Sequence, residues 1–115
     1  MPDDPRQPIP PAEFRVLLAL VDGAKHGHAI KLDIRDRTGG RIDMGPGTLY
    51  GAIKRLAARG WIAEVDPPNG GPADERRRYY RLTDEGRSAA GTEADRMQEL
   101  LGIGREKGLL TTGEA

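Results

Sequence analysis

The chain has 115 residues, of which 31% are charged and only 4% aromatic, so one small domain with a core of Leu, Ile, Val and Ala is expected. It has no cysteine, which excludes a disulfide framework and a thiolate zinc site. The formal net charge is zero, but residues 25–82 carry twelve basic and seven acidic side chains between acidic flanks. A basic centre of this kind would attract a polyanion such as a nucleic acid. The alternative is an ordinary scatter of surface charges, which would give the same pattern.

Residues 1–11 contain five of the nine prolines, which predicts a flexible, extended N-terminal arm. The arm lacks the basic start and the apolar run of a signal peptide, and no apolar run in the sequence is long enough to span a bilayer. A cytoplasmic protein is therefore expected.

Two helices are predicted next. The first begins near residues 11–13 and ends at Gly23, and its expected buried face consists of Phe14, Leu17, Leu18 and Val21. The second lies in "HGHAIKLDIRDRTGG" and ends at the paired glycines, with an apolar side formed by Ala29, Ile30 and Ile34.

The stretch "MGPGTLYGAIKRLAARGWI" predicts a third helix, in which Gly45 is the N-cap, Pro46 the first helical residue and Gly60 the stop. One side of its helical wheel is apolar, with Leu49, Ile53, Leu56, Ala57 and Gly60. The opposite side is slim, with Thr48, Gly51, Arg55 and Ala58, and it is flanked by Tyr50 and Lys54.

A helix of this kind suits the DNA major groove, because small residues near its N-terminus allow close approach and its donors reach phosphates or base edges. The candidate DNA-binding residues on it are Gly47, Thr48, Tyr50, Lys54 and Arg55. The alternative is an ordinary surface helix whose small-residue face packs on another helix.

A β-hairpin with a long tip follows. "WIAEVD" and "RRRYYRL" are its predicted strands, and "PPNGGPADE" between them is a loop by composition. Arg76, Arg77 and Arg78 lie at the base of this loop, where they would bind the phosphate backbone or a minor groove. An edge strand kept soluble by its charges is the alternative.

The last predicted helix begins at a Thr83 cap and covers residues 83–101. Its apolar residues are spaced four, three and four apart, which favours a dimer seam, with packing inside the monomer as the alternative. The candidate dimerisation residues are Ala90, Ala94, Met97 and Leu101. Residues 102–115 are expected to be a weakly ordered tail, since Gly102, Gly104 and Gly108 weaken a helix.

The order helix, helix, helix, hairpin, helix predicts a mainly α protein with a small β-hairpin (α+β), namely a winged helix-turn-helix over residues 12–82 plus a C-terminal dimerisation helix. An enzyme is not expected, because no catalytic arrangement or phosphate-binding loop stands out. A metal site and a cofactor are not expected either. His26 and His28 are the only histidines, and they do not share a helix face.

The segments "HGHAI", "GPGTLYGAIKRLAARGWI" and "RRRYYRLTDEGR" resemble the motifs of the PadR family of bacterial transcriptional regulators, in the family's order and over roughly residues 12–90. The resemblance implies a winged-helix homodimer that represses transcription, often in response to small molecules or stress, and the length matches the small branch with one dimerising helix. It also implies that Thr48, Leu49 and Tyr50 begin the recognition helix and that Tyr79 and Tyr80 lie on the second wing strand. Two departures are His28, where the family often has an aromatic residue, and Gly51, where it often has proline.

The sequence therefore predicts a cytoplasmic, sequence-specific DNA-binding regulator that acts as a homodimeric repressor on an inverted repeat of double-stranded DNA, with a small molecule or stress signal modulating it. The alternative is a winged helix that binds a protein and not DNA, because a fold does not fix a function.

Overall fold

The computed structural model describes residues 7–67 and 78–110, which form four helices and three short strands. In chain order these are α1 (Pro11–Ala19), β1 (Lys25–His26), α2 (Gly27–Arg37), α3 (Pro46–Ala58), β2 (Ile62–Val65), β3 (Tyr79–Leu82) and α4 (Asp84–Glu106). The strands make one antiparallel sheet in the order β1-β3-β2, with Ile62 opposite Leu82 and Lys25 opposite Tyr80. The predicted α+β class and the helix–helix–helix–hairpin–helix order are confirmed.

Two predicted helix starts are confirmed by their local chemistry. Gly45 is the N-cap of α3 in an extended conformation, and Pro46 occupies the first turn, where its missing N–H costs nothing. Thr83 caps α4, since its hydroxyl oxygen accepts a hydrogen bond from the Gly86 N–H at 3.0 Å. The same hydroxyl donates to the Gly60 carbonyl at 2.7 Å, which joins the start of α4 to the end of α3.

One hydrophobic core lies where α1 meets α2, α3 and α4. Its completely buried aliphatic side chains come mainly from the centres of the first three helices, as expected for a small domain that buries its apolar helix faces together. They are Val16, Leu17, Leu20, Ile30, Leu49 and Leu56.

The predicted buried face of the first helix is wrong in part. Phe14 and Leu17 are buried, but Leu18 is 50% exposed and Val21 40% exposed, while Val16 and Leu20 are buried instead. Because α1 contacts three other helices, its buried arc is wider than a single 3.6-residue stripe and is rotated away from Leu18. The helix also ends at Ala19, whose carbonyl accepts a hydrogen bond from Lys25 Nζ at 2.7 Å, and not at Gly23.

Other boundaries also differ from the predictions. Ile9 is buried and its N–H donates to Glu93, so the flexible arm predicted for residues 1–11 does not extend to Ile9. Helix α4 continues five residues beyond the predicted 83–101, through Gly102 and Gly104. Among the described residues, no helix is both long and apolar enough to cross a membrane.

Candidate nucleic-acid interface

Helix α3 presents a slim outer face above a firmly buried inner one. Leu49, Ala52, Ile53 and Leu56 are buried in the core. The sequence predicted all of these but Ala52, and it was wrong for Ala57, which is exposed. Gly47, Thr48, Tyr50 and Lys54 are all exposed on the first turns of the same helix. The structure thus brings these four predicted DNA-binding residues onto one accessible surface, which we call the α3 face.

Tyr50 stands on this face in a position that depends on Gly27, the first residue of α2. A Cβ atom added to Gly27 would lie 2.6 Å from the Tyr50 hydroxyl oxygen, well inside van der Waals contact. Beside it, the Ala29 N–H donates to His26 Nδ1 at 3.1 Å and so caps α2. Sequence reasoning did not assign a role to Gly27, although it stands in the quoted segment "HGHAI". A glycine is needed there because of Tyr50, which is 23 positions away in the sequence.

Arg55, the fifth predicted DNA-binding residue on α3, is paired with an acid on α1. Its Nε donates to Glu13 Oε2 at 2.7 Å, and Nη1 of Arg59 donates to Glu13 Oε1 at 3.1 Å. Arg59 also stacks over the Trp61 ring at 4.9 Å, a cation–π contact. The side chain of Arg55 is nevertheless 56% exposed, so it both pairs with α1 and borders the α3 face.

The base of the hairpin is fixed to the helices by β1, which the sequence did not predict. The two residues of β1 pair with β3, and the His26 ring meets the Tyr79 ring edge-on at a centroid distance of 5.2 Å. Arg78 is exposed, 3.8 Å from Glu64 across the hairpin. Arg76 and Arg77 lie outside the described residues. Burial first, then the charge of Glu64, raises the pKa of the Tyr80 hydroxyl.

The predicted dimerisation stripe divides between the interior and the surface of one chain. Ala90 is buried in the core and Met97 packs partly against it, so these two side chains contribute to packing within the monomer. Ala94 is exposed and Leu101 is 49% exposed. Leu100 and Ile103, in the same last turns of α4, are exposed as well, and we call Leu100, Leu101 and Ile103 the α4 apolar patch.

The buried carboxylate of Glu93 holds the N-terminal segment against α4. It accepts hydrogen bonds from the Ile9 N–H at 3.2 Å and from two nitrogens of Arg96. The hydrogen bond from Arg96 lowers the pKa of the Glu93 carboxyl, against the opposing effect of burial. This cluster lies on α1's side of α4 and contains none of the predicted DNA-binding residues.

Three core helices, a strand-paired hairpin and a slim exposed third helix define the winged helix-turn-helix class of DNA-binding folds. The family model described as the transcriptional regulator PadR-like family matches residues 16–92. The chain therefore belongs to the PadR-like family of transcriptional regulators, whose members are regulators and not enzymes.

Several known proteins are similar to the chain in sequence or in fold. A transcriptional regulator from Clostridium thermocellum is 26% identical with a TM-score of 0.70, covering 83% of this chain and 87% of that one. The structure of Bacillus subtilis PadR in complex with operator DNA has a TM-score of 0.59 at 21% identity, over 71% of this chain and 45% of that one, and shows a shared fold. An uncharacterized 37.1 kDa protein in transposon TN4556 of Streptomyces fradiae is 38% identical over 91 residues, 79% of this chain, and the aligned part spans only 24% of that protein.

Proposed function

We propose that the chain binds double-stranded operator DNA in a sequence-specific manner, with α3 in the major groove. The α3 face carries this proposal, since four exposed residues suited to DNA contact stand on a helix whose other side is anchored by Leu49, Ile53 and Leu56. Gly45 at the N-terminus of α3 has no side chain to cap the helix, so the backbone N–H groups of its first turn, at the positive end of the helix dipole, suit a phosphate. The arginines at positions 76, 77 and 78 of the hairpin would add backbone contacts.

Homodimerisation is the second part of the proposal. The last turns of the 23-residue helix α4 carry three exposed apolar side chains, Leu100, Leu101 and Ile103, and a concentration of exposed apolar side chains favours an interface. Ala94, seven residues before Leu101 on the same helix face, is also exposed and would allow close approach of a second copy. A two-fold dimer would read two half-sites about one helical turn of DNA, or a multiple of it, apart, and therefore an inverted repeat.

The regulatory part of the proposal is repression in the cytoplasm, with operator binding modulated by a small molecule or stress signal. An apolar cavity between α1 and α2, of about 80 Å³, is lined by Leu18, Ala19 and Ile34 among others. Ligand sites usually have about 300–1,000 Å³, so this cavity is too small for a typical effector. The proposed effector site is instead between the two subunits, where binding would change the spacing of the two α3 helices.

Selection of genomic fragments with the purified protein, followed by binding measured over a range of salt concentrations, tests the function. The expected result is an enriched inverted repeat whose log Kd rises with log salt by about 0.9 per neutralised phosphate. No enrichment over random DNA would reject operator binding and would favour the protein-binding alternative.

A further inference from the structure

Glu13 on α1 is a buried carboxylate that, among residues 7–67 and 78–110, is paired with two arginines from α3 and its C-terminal end. Its side chain is 3% exposed, and its two oxygens accept from Arg55 and from Arg59, the C-cap of α3. A buried charge is tolerated only when it is paired and hydrogen-bonded, so this site couples the placement of α1 to that of two arginines.

The two arginines differ in exposure and in how many of their donor groups are already used. Arg59 is 27% exposed and is also held against the Trp61 ring, which suits a structural partner. Arg55 is 56% exposed, and Glu13 bonds only its Nε. Within the described part of the chain, neither Nη atom of Arg55 has a hydrogen-bond partner.

Gly51, one turn before Arg55, provides the room for this arrangement. A Cβ at Gly51 would lie 3.3 Å from Arg55 Nη1, closer than ordinary van der Waals contact. The guanidinium therefore lies back along α3, over the glycine and toward the end of the helix that carries Gly47 and Thr48. A glycine inside a helix costs on the order of 1 kcal/mol relative to alanine, and the space for Arg55 supplies a reason for it.

The geometry points to Glu13 as a positioning residue that orients Arg55 for reading a base edge, an inference that rests on the proposed operator binding. With Nε held by Glu13, the Nη1–Nη2 edge is the part of the guanidinium left for DNA. A fork of two N–H donors matches the O6 and N7 acceptors of guanine in the major groove. Because the side chain is already oriented, less rotamer freedom is lost when DNA binds.

The test measures base preference, which a merely structural role of Glu13 would not change. Wild type, Arg55→Ala and Glu13→Gln are compared on the selected operator and on a set of single base-pair substitutions of it. Arg55→Ala is expected to abolish discrimination at one base pair of each half-site, where wild type discriminates about tenfold or more. Glu13→Gln is expected to lose most of the discrimination at that same base pair and to keep it elsewhere.

Glu93→Gln is the matched control, since it makes the same chemical change at a second buried carboxylate that holds an arginine away from the α3 face. It is expected to leave every base preference unchanged. Gly51→Ala, which presses on Arg55 without touching Glu13, is expected to reduce discrimination at the Arg55 base pair. Its control is Gly91→Ala on α4, where an added Cβ meets nothing within 4 Å.

The outcomes separate this inference from the proposed function. If wild type prefers no sequence, operator binding itself is rejected and the inference is rejected with it. If wild type is selective but Glu13→Gln keeps full discrimination, or Arg55→Ala loses none, the function stands and the positioning role is overturned. Should Glu13→Gln not fold in thermal unfolding, Gly51→Ala decides: unchanged discrimination in that variant overturns the inference.

Discussion

Replacing Gly86 with alanine should strongly destabilise the protein, because the first turn of α4 lies directly on the backbone of Trp61. A Cβ at Gly86 would be 2.0 Å from the Trp61 carbonyl oxygen and 2.8 Å from its carbonyl carbon. Neither atom belongs to a flexible side chain, so the helix or the strand start must move. Movement would strain the hydrogen bonds from the Thr83 N–H to the Trp61 carbonyl (3.0 Å) and from the Thr83 hydroxyl to the Gly60 carbonyl (2.7 Å).

The magnitude follows from these contacts. Overpacking costs about 1–3 kcal/mol. The loss of two hydrogen bonds adds about 1 kcal/mol each. We expect Gly86→Ala to lower the free energy of unfolding by about 3–5 kcal/mol, a large part of the about 5–15 kcal/mol typical of a domain.

Chemical denaturation followed by far-UV circular dichroism, at one fixed protein concentration, measures this change. Gly91→Ala is the matched control on the same helix, since its Cβ would stand in open space. It should stabilise the protein by about 0.5–1 kcal/mol through helix propensity alone. If Gly86→Ala has the same free energy of unfolding as Gly91→Ala, the conclusion that α4 packs directly on the Trp61 backbone is wrong.

Three further predictions concern the α3 face, the pairing of buried Glu93 with Arg96, and the α4 apolar patch. Gly27→Ala should keep the fold but displace the Tyr50 ring, weakening operator binding by about 1 kcal/mol, the value of one hydrogen bond, in a binding titration. Because the pKa of Glu93 is lowered by Arg96, its contribution to stability is present above the unfolded-state pKa of about 4.5 and is lost as pH falls through the lower folded-state value. The stability difference between wild type and Glu93→Gln should therefore shrink below about pH 4.5 in denaturation curves. Leu101→Glu should convert the proposed dimer to a monomer in light scattering, because it places a charge in the proposed interface.

Each of these has a clear contrary result. An unchanged Kd for Gly27→Ala would show that the position of Tyr50 does not matter for DNA binding. A stability difference for the Glu93 variant that is constant from pH 7 to pH 3 would contradict its pairing with Arg96. An unchanged mass for the Leu101 variant would move the subunit interface away from the α4 apolar patch.

Local signals were enough to predict much of the fold. The Gly45–Pro46 start of α3 and the Thr83 cap of α4 depend on neighbours within three residues, so the local sequence is enough to predict where these helices begin. The two-residue strand β1 could not be predicted this way, because it is a strand only through its pairing with β3, more than fifty residues later. The exposure of Leu18 depends likewise on how three other helices surround α1.

The candidate site shows the same division. Tyr50 and Lys54 could be placed on an exposed face from helical periodicity alone, and the structure has them there. The pairing of Arg55 with Glu13 joins positions 42 residues apart, and no periodicity within either helix indicates it. An acid in the first turn of α1 reads from sequence as a favourable helix start, and only the tertiary structure shows that it is buried.

The junction between Trp61 and Thr83 has a consequence for how this protein can vary. The backbone hydrogen bond between these two residues closes a loop of chain that leaves at the end of α3 and returns at the start of α4. The two ends of the hairpin segment are therefore held together by this hydrogen bond. Lengthening a loop closed in this way costs little free energy, about 0.6 kcal/mol for each doubling of its length. Insertions and deletions between β2 and β3 can therefore accumulate while α3 and α4 keep their relation, so the hairpin tip is free to diverge among relatives that share the rest of the fold.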